Sequence, residues 1–579
     1  MSVQNSTYFQ VLFLLVFNVL QINLTFAATI DDVLKQEDTL RALERDRQKT
    51  LTESIERKPD QLKPSEVIIL YSPVTGETPC FNVDKIELTG ADANRFQWLL
   101  KNLDAFTHTC IGVKSLEILQ TNLNTKLLAS GYATSRVGLP NQQLSTGKLQ
   151  FKLYTGHIDG FRLEDNNDLD WLTLPWATWR NAVPIAKGDI LNVRDLDQGL
   201  EQLKRLPSQD VAIVIEPAEV ENSSTLIIKR QQGSRLHGQL SLDNAGSESL
   251  GREQAQLGIT LDAPLGLSDQ LSIYASSNAI NATPSNRSQS ASVYYSIPFG
   301  YHTFSTSFGY SRFGQLVQGT TVQFLSSGFS QNAEAKWHTT VMRDTTSKLG
   351  VFGSLSTRRA RSYLNDVELL VQQRRTAAAE LGLNYAKRWQ ANSLNIELAY
   401  SKGMPWFQAE RKFFEDGNSE QPTTRPNIWH GNAELNVPIS YFNKSFSYNT
   451  RIQWQTTSQI ALSIDQFSIG NRYSVRGFDG DIILQSESGY SLRNELRMGG
   501  FGVINDQLYL APYLAMDVGH IWGPSTNGSP FTTLAGAAIG LRAQGKFLSA
   551  DFALGTPLYK PDNFETHQIN PMLQLTLNI

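Results

Sequence analysis

Charge is scarce in this chain. Only 18% of its 579 residues are Asp, Glu, Lys or Arg, against roughly one quarter in ordinary soluble proteins. The formal net charge is −4 and there is no basic run, which argues against nucleic acid as a partner. Methionine is rare, at 6, and cysteine is limited to Cys80 and Cys110. The 8 histidines include none at metal-ligand spacing, and there is no phosphate loop, nucleophile elbow or paired-carboxylate signature. The sequence therefore predicts no enzyme, no cofactor and no metal site. Beyond Phe26 no stretch reaches the ~18 uncharged apolar residues of a membrane helix. If the mature chain spans a membrane, it does so with strands.

What is present points the same way. The 28 Phe, 19 Tyr and 10 Trp, with plentiful Gly, Ser, Asn and Gln, suit a barrel with an aromatic girdle and a polar interior. At 579 residues the chain is too long for one ordinary domain. Val11–Phe26 is mostly apolar and runs into Ala27 and Ala28, predicting an export signal over residues 1–27, with Thr25 and Ala27 fitting a cut after Ala27. No Lys or Arg precedes the apolar run, and an uncleaved membrane anchor is the alternative. In an exported chain, two cysteines predict one disulfide, Cys80–Cys110, in the oxidising periplasm. Free thiols are the alternative, and a metal site lacks partners because His108 is the only neighbouring histidine.

Ile30–Arg57 has helical composition, but its apolar residues are too sparse to bury a broad face. Such a helix needs solvent or a polar lumen around it. Residues 58–77, with Pro59, Pro64, Pro73 and Gly76, read as a linker. Two similar units of roughly 75 residues follow, each large enough for a small core. The first, residues 78–155, is expected to run strand Phe81–Leu88, helix Arg95–Leu103, helix Lys114–Ser130 capped at Gly131, then strands Ala133–Val137 and Lys148–Leu153. The second, residues 156–231, repeats the order with strand Gly156–Leu163, a Trp-rich middle, helix Val193–Arg205 and strands Val211–Pro217 and Ser224–Lys229.

From about residue 235 to 579, segments of about ten residues alternate apolar and polar between Gly/Asn/Asp/Pro turns. Phe446, Tyr448, Thr450, Ile452 and Trp454 share one parity. Leu573, Leu575, Leu577 and Ile579 share another face, opposite Gln574, Thr576 and Asn578. About sixteen such segments occur, an even number as bacterial barrels require, and the last strand ends with the chain at Ile579, so it can close against the first. Between two of these strands, Val475-Arg476-Gly477-Phe478 places a guanidinium, a permissive glycine and an aromatic ring in one tight turn. It marks a loop expected to fold into the lumen.

Taken together, these parts resemble the outer-membrane transporters of two-partner secretion (TpsB proteins, the hemolysin-activator ShlB-FhaC-HecB family), within a POTRA-barrel superfamily shared with barrel-assembly factors. The resemblance covers essentially the whole mature chain. It rests on the two β-α-α-β-β units, which resemble POTRA domains, and on the phrases at Cys110–Val137, Leu242–Leu271 and Ser468–Asp481. The Leu242–Leu271 phrase leans toward the branch exporting hemolysin-like or contact-dependent inhibition proteins. The resemblance implies a membrane β-barrel in the bacterial outer membrane, POTRA modules in the periplasm, and residues 30–57 threading the barrel as a plug. It implies a secreted exoprotein of the TpsA type as partner, with outer-membrane lipids around the barrel and the barrel-assembly machinery needed during biogenesis. It further pairs Arg476 with an aspartate in a Phe-x-Asp-x-Gly strand motif, here Ala515-Met516-Asp517-Val518-Gly519, with Ala in place of the aromatic. Parity independently places Tyr509, Tyr513 and Asp517 in the lumen, since residues 508, 510, 514, 516 and 518 are apolar. Glu495 is the alternative partner for Arg476. A passive porin is disfavoured by the two modules, and an assembly factor of the same superfamily, expected to carry more POTRA modules, is the alternative function.

Overall fold

A computed structural model describes residues 39–50, 53, 62, 72–165, 178–318, 322–410, 422–503, 507–524 and 532–579. The export signal, most of the linker, Trp171 and Trp176 lie outside the described residues.

In the first module, buried residues decide the helix types. Ala93, Phe96 and Leu99 are buried at a spacing of three, and that spacing eclipses on a 3₁₀-helix. Residues Ala93–Leu100 accordingly form a 3₁₀-helix, not the expected α-helix over Arg95–Leu103. Leu119, Leu123 and Leu127 recur at four, on the α-helix Val113–Ala129 (α1). The helix ends in a Schellman motif: the Tyr132 N–H donates to Leu127 O and the Gly131 N–H to Leu128 O, both at 3.0 Å. Glu77 caps its start, accepting from the backbone of Gly112, Lys114 and Ser115 at 2.8–3.2 Å. The Ser115 hydroxyl and these amides hold the Glu77 carboxyl below its usual range.

The expected strand Phe81–Leu88 is two strands with different partners. Phe81–Val83 pairs with Thr109–Ile111, and Lys85–Thr89 lies parallel to Lys148–Tyr154. The break falls at Asp84, where Gly147 O accepts from both Asp84 and Lys85. Cys80 and Cys110 are joined in a disulfide with Cα atoms 5.3 Å apart, tying the two segments together. In both modules the last strand is central. Lys148–Tyr154 sits between Lys85–Thr89 and Arg136–Gly138, and Ser223–Gln232 between His157–Asp165 and Gln209–Pro217.

The second module is fixed at both ends of its α-helix, Val193–Lys204 (α2). Asn192 caps its start by accepting from the Arg194 N–H at 2.9 Å, and Arg194 Nη2 donates to Ala129 O at the end of α1 at 2.8 Å. Gly131 sits at this junction with φ +93°; any Cβ there would approach Asn192 Oδ1 to 2.2 Å. The polar face of α2 then grips the barrel. Glu201 bonds Arg343 at 2.8 Å and Lys348 at 2.7 Å, and Arg205 bonds Ser296 and Ser268 at 2.8 and 2.7 Å.

The barrel is a closed antiparallel sheet of sixteen strands among the described residues, from Leu236–Asp243 to Asn570–Asn578. The short segments Val367–Glu368 and Phe501–Val503 continue neighbouring strands across interruptions. Because α2 grips Ser268, Gly300, and Arg343 and Lys348 on either side of the turn at 344–346, those turns mark the module end of the barrel, which the sequence predicts to be periplasmic. Arg343 is nearly fully buried against Glu201. Glu201→Ala strands that charge at a cost of about 3 kcal/mol. The expected outcome is faster protease cleavage between module and barrel, with heat-modifiability of the barrel unchanged.

Candidate functional site

The loop between strands Lys444–Thr456 and Ser488–Met498 folds into the lumen. Its stem is a small hairpin, Phe467–Ile469 against Leu484–Ser486, and the Val-Arg-Gly-Phe turn lies at its tip. Asn471 shapes the approach, its Oδ1 accepting from Tyr473 N and Ser474 N at 2.9 and 3.1 Å. Val475 and Phe478 are buried with Ile469, Ile521, Leu534 and Phe564, and the Phe478 and Phe564 rings meet edge to face at 5.6 Å. These side chains form an apolar anchor on the inner wall.

Arg476 makes the polar anchor. Its Nε and Nη2 donate to the two oxygens of Asp517 at 2.7 and 2.8 Å, a bidentate pair. Its Nη1 donates to Glu495 Oε2 at 2.8 Å and its backbone N–H to Asp517 at 2.9 Å. Sequence reasoning posed Asp517 and Glu495 as alternatives, whereas the guanidinium reaches both because they sit on adjacent strands, Glu495 opposite Ala515. The network continues through Arg542, which holds Glu495 at 2.7 Å and Asp551 at 2.8 Å and lies 4.6 Å over the Tyr513 ring. Arg493 stands 3.7 Å from Asp517. Three arginines thus face three carboxylates, so the cluster, buried at Arg476 and Asp517 and partly exposed at Arg542 and Asp551, carries no net charge.

Strand parity is plain here. Tyr513 and Asp517 are 5% and 1% exposed, while Leu514 and Met516 are 57% and 62% exposed toward lipid. Tyr509, of the same parity, is half exposed at the periplasmic end. Ala515, where the family motif carries an aromatic, is buried against Tyr513, Ala538 and Ala553.

Glycines let the loop lie flat on the wall. Gly477 has φ +113°, and an added Cβ would come within 2.5 Å of Thr556 O. On the wall, a Cβ at Gly536 would meet Arg476 O at 2.0 Å, and one at Gly519 would meet Val475 at 2.9 Å. Gly519 stands in the strand motif, but the role of Gly536 was missed. Only its place opposite Asp517 in the register identifies it.

A helical segment, residues 39–50, crosses the same lumen. Arg45 donates to Gln466 O at 2.9 Å, and Asp46 accepts from Ser468 and Asn471 at 2.8 and 3.0 Å. Arg47 reaches Asp243 and Gln254 at 3.4 and 3.3 Å, and Arg451 bonds Glu53. Beside the helix a cavity of about 1060 Å³ is lined largely by polar side chains, among them Ser305, Ser330, Ser354, Glu380 and Asn432.

A closed barrel preceded by two small modules of strands and helices, with an arginine-anchored inward loop, is the architecture of a POTRA-bearing outer-membrane transporter. The family model described as haemolysin secretion/activation protein ShlB/FhaC/HecB matches residues 222–543, and POTRA models match 81–156 (ShlB-type) and 157–217. The outer membrane transporter CdiB-2 of Burkholderia pseudomallei (strain 1026b) is 31% identical over 87% of this chain and 88% of its own. The hemolysin transporter protein HpmB of Proteus mirabilis is 26% identical over 84% of each. Among solved structures, CdiB from Acinetobacter baumannii superposes with a TM-score of 0.81 at 24% identity, covering 95% of this chain and all of that one. The chain belongs to the ShlB/FhaC/HecB family of two-partner secretion transporters, and resides in the outer membrane with its POTRA modules in the periplasm.

Two substitutions test the anchor. Removing either partner of the buried Arg476–Asp517 pair costs about 3–5 kcal/mol, and a double-mutant cycle on thermal unfolding is expected to be strongly non-additive. Gly536→Val displaces the loop without touching any charge, and is expected to expose sites within residues 466–487 to protease while the barrel stays inserted.

Proposed function

We propose that this transporter recognises one large, unfolded exoprotein in the periplasm through its POTRA modules and exports it through the barrel without nucleotide hydrolysis. The observation that carries this reading is the nature of the contacts holding helix 39–50. They are hydrogen bonds and ion pairs to lumenal side chains and to the inward loop. Such bonds exchange for water at little net cost, so a polar helix can leave a polar lumen where an apolar one would stay. Residues 30–57 are then a displaceable plug. The edge strands of the module sheets offer strand addition to an extended chain, and folding of the exoprotein outside removes it from the pore and biases its motion outward. The cargo is a hemolysin, adhesin or contact-dependent inhibition toxin, and the names of the relatives, CdiB and hemolysin transporter, favour the first and the last of these.

Deleting the gene in its native host is expected to remove one very large secreted or surface protein from the culture while other outer-membrane proteins remain. General loss of outer-membrane barrels, or inviability, would instead mean an assembly factor. Arg476→Ala is expected to cut secretion at least tenfold while leaving a membrane-inserted, heat-modifiable barrel. Failure to insert would make assembly the main task of this arginine.

A further inference from the structure

Charged side chains facing lipid are costly at the membrane midplane and tolerated near its boundaries. On strands Asn286–Phe299 through Arg374–Trp389, the outward face carries Arg287, Arg312, Arg359, Arg361 and Arg375. Their orientation follows from parity. Arg312 shares the side of the exposed Phe304, Phe308 and Leu316, Arg359 and Arg361 that of Leu355, and Arg375 that of Leu381 and Leu383.

The register makes one arc of these residues. Arg312 stands opposite Phe329, and Phe329 stands opposite Arg361. Arg359 stands directly opposite Arg375, and Arg287 opposite Gly314. Like charges directly opposite each other on a sheet are destabilising. Few carboxylates offset them. Glu368 lies 3.4 Å from Arg361, and Glu410 accepts only the backbone N–H of Arg375, at 3.0 Å, while the guanidinium of Arg375 reaches Gln408 at 3.3 Å. Arg312 donates to Gln289 at 2.7 Å. Among the described residues, Arg287, Arg312 and Arg359 have no carboxylate partner, and the Nε atoms of Arg287, Arg359 and Arg375 are buried without an acceptor.

The height of the arc identifies what meets it. Arg312 follows His302, the periplasmic start of its strand, by about 25 Å along the membrane normal, at ~3.3 Å per residue and ~40° tilt. That is the thickness of the apolar band, so the arc lies at the outer headgroups. On the next strand the outward, exposed Lys402 adds to the positive charge, whereas the outward residues near the extracellular ends of the strands beyond it include the neutral aromatics Trp429, Trp454, Tyr490 and Trp522. The positive charge is therefore confined to one side of the barrel.

We propose that this arc binds the phosphates of a bisphosphorylated glycolipid of the outer leaflet, of the lipid A class. The guanidinium fork matches phosphate oxygens bidentately. Arg312 and Arg361, two strands and so about 10 Å apart, suit a sugar headgroup with two phosphates better than a single anion. Bound phosphate would supply anionic acceptors for the outward guanidinium nitrogens and would screen Arg359 from Arg375.

The test uses the purified full-length chain in detergent, with native mass spectrometry and thermal unfolding read against bisphosphorylated lipid A, its monophosphorylated form and inorganic phosphate. The wild type is expected to retain the bisphosphorylated lipid, and Arg312→Gln/Arg359→Gln/Arg361→Gln to bind it at least tenfold more weakly while remaining heat-modifiable. The corresponding triple Lys variant is expected to recover most of the binding, and the single Arg359→Gln variant gives the same readout if the triple Gln variant fails to insert. Equal retention by wild type and Gln variants would overturn the proposal. So would displacement of the lipid by inorganic phosphate at equal concentration, or a Gln variant that keeps the lipid and instead loses an exoprotein from the cell surface.

Discussion

Within lipid an unpaired strand edge would leave its amides and carbonyls without partners, so the whole structure depends on closing the first strand against the last. That closure is short. Gln239–Asp243 pair with Gln574–Asn578, and Gly238 exchanges backbone bonds with Ile579 at 2.8 and 2.9 Å. Above it the inward loop acts as a clasp. Arg472 donates to Asn244 O at 2.9 Å and to its side chain, while Asn244 also bonds Pro571 O and Leu573 N across the seam at 2.8 and 2.9 Å. Asn570 donates to Gly477 O at 2.7 Å. Asp481 reaches Arg252 and the Glu248 N–H on one side of the seam, and Asp479 holds Thr566 and His567 on the other. The loop therefore does more than fill the lumen, since it spans the weakest stretch of the ring.

The Arg476 cluster fixes where that clasp sits. Buried ion pairs add little net stability over apolar packing, but they punish any other arrangement severely. A loop held by a neutral three-arginine, three-carboxylate network and pressed on a glycine-floored wall has one position that satisfies every charge. Specifying one position is what a clasp requires.

The sequence displayed the barrel because a two-residue period is read directly from apolar and polar alternation. It displayed Asp517 for the same reason, since a carboxylate among Leu514, Met516 and Val518 belongs on the opposite face. It hid whatever depends on register between distant strands. Gly536 beneath Arg476, the shared use of Glu495 and Asp517, and the arginine arc all emerge only once strands are aligned. The face of α2 was hidden differently. Gln198, Glu201, Gln202 and Arg205 look like a solvated helix face, because nothing local tells water from a barrel rim. The split strand at Asp84 and the 3₁₀-helix over Ala93–Leu100 escaped because partner switching and period three are both short-range departures from the commoner pattern.

The placement of these parts divides the lumen. The loop and its ionic network occupy the wall from Ser488–Met498 to Leu548–Tyr559, while the cavity lies along the strands from Asn286–Phe299 to Asn427–Tyr441. The same helix face that docks the second module, through Gln198, Glu201, Gln202 and Arg205, also lines the periplasmic floor of that cavity. A chain caught by the second module would therefore meet the open side of the lumen and not the clasped side. Helix 39–50 stands between the two, bonded on one side to the loop and on the other to Arg361 and Ser362 through Arg41. Removing that helix would widen the cavity without disturbing Arg476, which lets one wall stay closed while the other conducts.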